Sequence, residues 1–372
     1  MSIDLNGLKL KNPIMIGAGP WARDGMSIQK CIDAGASAVT TETISLEAHK
    51  ALCPHMYSQE DNVLNIKMFS DLHLERWEKE IESIDRKDCK IIISIWGSSA
   101  SEVSYLASKA ERMGADAIEL SLASPIGARN RMIVDKSSIV SEFAQAAVRA
   151  VSIPVFVKLS YEAGNTTALT DSIYEAGVKV VSAIDGLRGM MDIDVENQTA
   201  KMPTYGGYTG ANIRPISLAT TASLKQNTAF QICSVGGITN YEHVLGYIML
   251  GAQATQLASV IQLEGYPAIE RILNDLDDWM SSHCHNDYSE IRGVALSTLS
   301  AFEDIGPQPF KAILSETCLE DCNICEQCCL YFAIGRNNKN ELTISEQLCT
   351  GCGLCAGRCP QNKIEIGWSQ KI

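Results

Sequence analysis

Nine of the 14 cysteines fall between Cys318 and Cys359, and their spacing is that of metal ligands. Cys349-Thr-Gly-Cys352-Gly-Leu-Cys355-Ala-Gly-Arg-Cys359-Pro360 is a complete C-x2-C-x2-C-x3-C-P run. Three thiolates so spaced hold one iron–sulfur cube, and the fourth, followed by proline, reaches the neighbouring cube in two-cluster ferredoxins. A zinc site needs only two pairs of ligands, so it would leave much of this run unused. Upstream, Cys322-Asn-Ile-Cys325-Glu-Gln-Cys328 offers three more ligands, but the position that would complete the run is Phe332. Crossed ligation then gives one [4Fe–4S] cluster on Cys322, Cys325, Cys328 and Cys359. The other has Cys349, Cys352 and Cys355 and lacks a fourth thiolate. Cys329 or Cys318 can stand in; the alternatives are a three-iron cluster or a non-cysteine ligand. Disulfides are not expected, because a chain without an export signal belongs in a reducing compartment.

A second set of chemically useful residues comes earlier. Lys158 ends the apolar run Pro154–Lys158, where an unpaired ammonium would be costly to bury. Gly236-Gly237 and Ala258-Ser259 each follow a short apolar run and offer backbone N–H groups of the kind that bind phosphate. These residues are far apart in sequence, so a scaffold must gather them. One phrase recurs along the chain: a helical pattern, a small residue and Gly, then a β-branched or Ala-rich run. It occurs at Ala34-Gly35, Met113-Gly114, Ala176-Gly177 and Leu250-Gly251. Gly just past a helix end supplies a left-handed cap, and the next strand starts at once. With four further apolar runs, strands are expected at 13–16, 38–43, 91–95, 117–122, 154–158, 179–184, 231–235 and 254–257. Helical patterns such as Ala100–Met113 and Ser137–Val151 separate most of them. Eight alternating units predict a (β/α)8 TIM barrel, with the chemistry at the C-terminal ends of its strands. Strands seven and eight are then followed by the two candidate phosphate loops. An open doubly wound sheet is the rival arrangement. Helical periodicity continues over Tyr266–Ser281 and Tyr288–Phe302. The turn Gly306-Pro307-Gln308-Pro309 marks a boundary between a barrel over 1–305 and a small ferredoxin-like iron–sulfur domain over 306–372.

Composition agrees. The chain has 372 residues, 46% hydrophobic and 20% charged, enough for a barrel-sized core with something appended. A net charge of −13 argues against a nucleic-acid binder. No run of 18 apolar residues is present, and Met-Ser-Ile-Asp-Leu-Asn-Gly does not read as a signal peptide. A soluble, cytoplasmic protein with no membrane association is expected.

Several phrases at the expected strand ends together carry a family likeness. They are Leu64-Asn65-Ile66, Glu119-Leu-Ser-Leu-Ala-Ser-Pro125, Val157-Lys158-Leu159, Tyr205-Gly-Gly-Tyr-Thr-Gly210 with Ile213-Arg214-Pro215, Val235-Gly-Gly-Ile238, and Gln256 with Ser259. In this order the chain resembles the dihydroorotate dehydrogenase family and, within it, the flavin barrel plus ferredoxin module of the dihydropyrimidine dehydrogenases. The resemblance implies FMN at the barrel mouth. Ala18 and Gly19 would let the ring lie against backbone, and Thr41 and Glu42 would stand beside it. Lys158 would contact its polar edge. Gly206, Gly207, Gly236, Gly237, Ala258 and Ser259 would hold its phosphate. Ser124 falls where the family has its catalytic acid/base, a Cys or Ser that exchanges a proton with substrate carbon. Asn65, Ser121, Asp185 and Gly186 fall at substrate-binding positions.

Three departures bear on the substrate. The family's Thr-Lys-Thr reads Thr41-Glu42-Thr43, one family Asn is Ser121, and another is Asp185. Asn offers a donor and an acceptor to a cyclic amide, so these changes alter the recognition pattern. Glu42 and Asp185 also add negative charge, with Arg129 and Arg131 as candidates to offset it. The expected activity is an FMN- and iron–sulfur-dependent dehydrogenase or reductase acting on a C–C bond next to a carbonyl or imine. Its substrate would be a small, cyclic, pyrimidine-like or related compound, neutral or cationic. The rival readings are an electron-transfer subunit with a non-catalytic FMN barrel, and a phosphate-binding aldolase or isomerase with a structural cluster. No Gly-x-Gly-x-x-Gly run follows a strand. An NAD(P)H-oxidising flavoprotein subunit or a soluble ferredoxin is therefore the expected redox partner, and a homo-oligomer the expected assembly. His283-Cys284-His285 is too tightly spaced for one metal site.

Overall fold

A computed structural model of the chain describes residues 3–50, 52–122, 126, 137–306, 309–316, 318 and 322–368. The chain divides into two compact units, Met1–Leu299 and Ser300–Ile372.

In the first unit eight parallel strands close into a barrel. They are β1 (Ile14–Ile16), β2 (Ala38–Thr40), β3 (Lys90–Ile95), β4 (Ala117–Ser121), β5 (Val155–Leu159), β6 (Val180–Ala183), β7 (Gln231–Val235) and β8 (Ala254–Leu257). The ring shuts where Gln256 on β8 pairs with Met15 on β1. Nearly every strand residue is buried, as required when one face meets the barrel interior and the other meets helices. The rival open sheet is excluded by this closure. Each expected strand is present, although β2 stops at Thr40, so Glu42 and Thr43 stand on the loop beyond it. Gly35, Gly114, Gly177 and Gly251 all have φ between +90° and +103°, the left-handed caps that the recurring phrase requires. The helix expected near Tyr266 runs over Pro267–Ser282. The periodicity over 288–302 instead gives three 3-10 turns, Tyr288–Glu290, Val294–Thr298 and Phe302–Asp304, with Gly293 in the left-handed region between the first two.

Excursions after β2 and β6 build an antiparallel sheet that local periodicity did not announce. Its order is Leu187–Gly189, Gly206–Gly210, Asn62–Asn65, Met56–Gln59. Asn65 is the register partner of Gly207, so two distant loops are locked together residue by residue.

The second unit is an approximate repeat. The helices Ile324–Cys328 and Leu354–Arg358 each end at a cysteine, Cys329 and Cys359. Each cysteine accepts a 3.3 Å hydrogen bond from a backbone N–H four residues on, at Ala333 and Lys363. Phe332 and Asn362, also equivalent, share φ +52°. The strand Phe310–Leu314 pairs with Ile364–Trp368, and Ile334–Arg336 with Leu342–Ile344.

Candidate active site

The end of β5 places Lys158 inside the barrel mouth with its side chain 9% exposed. Its Nζ donates to Gln256 Oε1 at 2.7 Å and to Glu119 Oε1 at 3.4 Å. Glu119, fully buried on β4, takes two further donors on Oε2: the Ser182 hydroxyl at 2.6 Å and Gln256 Nε2 at 3.0 Å. Four strands thus contribute one polar member each to a closed network. Such a network is affordable in a barrel interior only because every member finds a partner. It orients the ammonium without consuming all its donors.

Above it opens a cleft of about 840 Å³, solvent at its mouth included, a size typical of small-molecule and cofactor sites. Ala18, Gly19, Glu42, Asn65, Ser121, Lys158, Asp185, Gly186 and Gly207, all marked by the sequence, line it. Trp21, Lys67, Phe69, Thr209 and Gln262 line it as well and were not marked. Asn65 Oδ1 accepts the Lys67 backbone N–H at 2.8 Å, which among the described residues leaves its amide N–H groups for a ligand. Gly19 is obligatory in this arrangement: a Cβ there would lie 2.4 Å from the Trp21 ring. That ring is itself pinned by a 2.6 Å bond from its N–H to the Gly17 carbonyl.

Glu42, whose sign reverses the family's lysine, is answered by Lys67. The two make an ion pair of 2.9 Å, with side chains 6% and 8% exposed, and Lys67 also reaches Asp71 at 3.1 Å. Burial pushes the Glu42 carboxyl upward, and Lys67 pulls it back down. The positive charge has therefore moved from the loop after β2 to the loop after the Asn62–Asn65 strand. The available signal was a lysine two positions beyond Asn65, but nothing local tied it to Glu42.

Other marked residues lie outside the cleft lining. Thr41 accepts the Ser94 backbone N–H at 3.1 Å and ties β2's end to β3. Gly206 packs beneath Asn65, where a Cβ would meet the Asn65 carbonyl at 2.7 Å. Gly236 and Gly237 press on the start of the helix Arg214–Asn227: added Cβ atoms would lie 2.7 Å from Ser217 Cβ and 2.7 Å from Arg214 Cβ. Ala258 and Ser259 form the entry to the helix Ser259–Glu264. Beside the glycine pair, Arg214 Nε is buried with no hydrogen-bond partner among the described residues. An orphaned guanidinium donor next to a glycine turn is what an anionic oxygen would satisfy, so these residues fit a flavin phosphate. Ser124, Arg129 and Arg131 lie outside the described residues.

In the second unit the cysteines surround two small cavities. One is lined by Cys318, Cys322, Cys325 and Cys359, the other by Cys329, Cys349, Cys352 and Cys355. Cys328, expected as a ligand, lines neither; its Sγ instead lies 3.5 Å from the Cys325 carbonyl. The upstream run therefore reads Cys318-x3-Cys322-x2-Cys325-x3-Cys329, with Cys329 in the position that Cys359 holds downstream. The physical reason is the helix end. Cys329, not Cys328, leaves the helix with the extended backbone that turns a thiol away from its own run. Burial raises the Cys325 and Cys355 thiols, so their thiolates need nearby cations, which iron supplies. The residues fit two four-iron clusters.

Comparison with known proteins agrees with this geometry. Residues 1–280 match the dihydroorotate dehydrogenase family model, and residues 342–362 match a 4Fe-4S binding domain. The catalytic subunit of dihydroorotate dehydrogenase B (NAD(+)) from Thermoplasma acidophilum is 27% identical over 302 residues, covering 80% of this chain and 99% of the relative. Its counterpart from Methanocaldococcus jannaschii is 29% identical over 305 residues, covering 79% and 98%. The chloroplastic dihydropyrimidine dehydrogenase (NADP(+)) of Arabidopsis thaliana is 24% identical over 346 residues, covering 84% and 81%. Among solved structures, dihydroorotate dehydrogenase of Eimeria tenella in complex with ferulenol superposes with a TM-score of 0.68 at 15% identity, over 79% of this chain and 88% of that one. No helix among the described residues is long and apolar enough to cross a membrane. With a barrel of this topology and a family match over most of its length, the chain belongs to the dihydroorotate dehydrogenase family, a flavin-dependent dehydrogenase of CH–CH bonds with an appended 4Fe-4S domain.

Proposed function

We propose that this chain oxidises or reduces a C–C bond next to a carbonyl or imine of a small cyclic substrate in the cleft, and that electrons pass through two C-terminal clusters. The observation that carries this reading is the Lys158 ammonium, held by Glu119 and Gln256 at the floor of a cleft rimmed by Ala18, Gly19 and Gly207. FMN, when bound, supplies hydride chemistry at one face of the substrate. Lys158 would hold the polar edge of the ring. Gly206, Gly207, Gly236, Gly237, Ala258, Ser259 and Arg214 would hold the phosphate. Asn65 would donate to the substrate from its free amide, and Ser121, Asp185 and Gly186 would complete that surface. Ser124 would move the substrate proton, with a relay, because a free hydroxyl is a poor base.

The charge balance supports an uncharged or cationic substrate. Among the described lining residues the two ammonium groups are already committed, Lys67 to Glu42 and Asp71, and Lys158 to Glu119. Asp185 adds a further carboxyl. A carboxylate-bearing substrate would find no uncommitted cation among them.

The two cysteine rings support clusters on Cys318, Cys322, Cys325, Cys359 and on Cys329, Cys349, Cys352, Cys355. The relatives named as catalytic subunits support a separate NAD(P)H-oxidising flavoprotein subunit as electron partner, with a soluble ferredoxin as the alternative and a homo-oligomer as the assembly. Protein purified without oxygen should contain FMN near one per chain and about eight irons. Lys158→Met should lose most of the flavin while keeping its iron. Cys329→Ser should lose iron, whereas Cys328→Ser should not. Absence of flavin after reconstitution would sink this reading. The second reading, an electron-transfer subunit with a non-catalytic FMN, draws on the altered positions Glu42, Ser121 and Asp185. Ser124→Ala separates the two, since only an enzyme loses substrate turnover while cluster-to-flavin transfer persists.

A further inference from the structure

Two fully buried members of the polar floor, Glu119 and Ser182, reach the cleft through Lys158. Ser182 on β6 is the register partner of Lys158 on β5, yet its hydroxyl turns past that strand to Glu119 on β4. A carboxylate only accepts and an ammonium only donates, so these two ends set the direction of every bond between them. The Ser182 hydroxyl must donate to Glu119 Oε2, at 2.6 Å, which leaves its oxygen to accept Gln256 Nε2 at 3.2 Å. Gln256 stands between carboxylate and ammonium. Its amide must therefore turn Nε2 to Glu119, at 3.0 Å, and Oε1 to Lys158, at 2.7 Å. Glu119 Oε1 takes a second Lys158 N–H at 3.4 Å. Of the three N–H groups of an ammonium, two are thus held by the floor. Among the described residues the third has no acceptor, and Lys158 lines the cleft.

We propose that Glu119 and Ser182 are positioning residues that hold the Lys158 ammonium with one N–H aimed at the ligand, so that Lys158 meets a single acceptor atom at a fixed place. The barrel strands alone cannot supply that aim. They fix the Lys158 backbone, but a lysine ends in a compact charge on a flexible four-carbon stem, with many positions open to it. The two floor bonds remove that freedom before a ligand arrives, and preorganisation of this kind lowers the cost of binding. Ser182 acts two bonds away. It fixes Glu119 Oε2 and, with it, fixes the Gln256 amide that holds Lys158 from the other side. The inference rests on the cleft being the flavin and substrate site. It deepens that reading by naming two buried residues that act on the ring's polar edge through Lys158.

A mutant cycle tests it, reading the affinity of deflavinated protein for FMN and the midpoint potential of the bound flavin. Glu119→Gln keeps the side chain's shape but loses its charge and its purely accepting character. It should weaken FMN binding by about tenfold or more. It should also raise the potential at pH 6, because an uncompensated ammonium favours the negative charge that reduction adds to the ring. Glu119→Asp, which keeps the charge, should return the potential towards that of wild type. In a Lys158→Met background Glu119→Gln should do neither. Equal effects with and without Lys158, or a potential that does not rise, overturn the proposal and leave the network as core packing. Ser182→Ala removes only a hydroxyl and decides the matter if Glu119→Gln does not fold. It should weaken FMN binding less, and again only where Lys158 is present. Crystal structures of flavin-free wild type and Ser182→Ala keep the two readings apart. The Lys158 bonds to Glu119 and Gln256 should stand in wild type without flavin and rearrange in the variant; bonds unchanged in the variant also overturn the proposal. Rearrangement in a protein that takes no flavin would sink the proposed activity alone, and flavin bound with an additive cycle would sink this inference alone.

Discussion

The two units hold their groups in opposite ways. In the barrel, the polar floor of Glu119, Lys158, Ser182 and Gln256 is set inside an extensive hydrophobic core that would exist without it. In the C-terminal unit, three of the eight buried core residues among those described, Cys325, Cys349 and Cys355, are themselves candidate ligands. A domain this small has too little apolar surface to fold on burial alone, so its metal and its core are one thing. The barrel is a scaffold that carries a site, and the second unit is a site that makes its own scaffold.

Iron removal should break the comparison most visibly if it is wrong. Chelation under reducing conditions should raise hydrogen exchange throughout 309–368 to near-unfolded values and leave protection of the barrel strands unchanged. Comparable loss in both units would show that the barrel also depends on the clusters.

Within the barrel, charge compensation is the sensitive point. Lys67→Ala leaves Glu42 buried without its partner and should destabilise the first unit by about 3–5 kcal/mol in urea unfolding. Glu42→Met combined with Lys67→Met should recover most of that loss, because neither charge remains to be compensated. A single variant costing under about 1 kcal/mol would mean that the pair is solvated.

Asp185→Asn should have a smaller, pH-dependent effect. The folded-state carboxyl is raised above its unfolded value. The folded protein therefore holds the extra proton, and wild-type stability falls as pH rises from the ordinary carboxylate range through the folded value. The melting temperature of Asp185→Asn relative to wild type should then be higher at pH 8 than at pH 4. A difference between the two proteins that does not vary with pH would show that the folded-state carboxyl is not raised.

The smallest effect concerns the repeat. Phe332 is 85% exposed and occupies the left-handed conformation in which its equivalent is Asn362. Asn tolerates that backbone better than a bulky aromatic, so Phe332→Asn should stabilise the cluster-loaded second unit by up to about 1 kcal/mol in thermal unfolding.

Much of this architecture was written locally. Strand positions and the left-handed caps at Gly35, Gly114, Gly177 and Gly251 follow from alternating patterns that each span a dozen or so residues. The motifs at the strand ends carried Lys158, Ser121 and Asp185 to the cleft, because a parallel barrel gathers all such ends on one face, whereas Asn65 reaches it on the antiparallel sheet. The 288–302 segment misled because an apolar period says nothing of the left-handed break at Gly293.

From the sequence alone came the barrel, the cysteine-rich appendage and the chemistry that their residues suit. Only the tertiary structure decided which charges compensate which, and which thiols share a cavity. Glu42 and Lys67 meet through the antiparallel sheet that pairs Asn65 with Gly207, a register no local pattern encodes. Cys329 rather than Cys328 lines a ring because one helix ends at that residue, a choice the matching spacings Cys325-x3-Cys329 and Cys355-x3-Cys359 permit but the competing run Cys322-x2-Cys325-x2-Cys328 obscures. Ion pairs and ligand rings depend on distances of a few ångströms between distant segments, and those distances exist only once the chain has closed on itself.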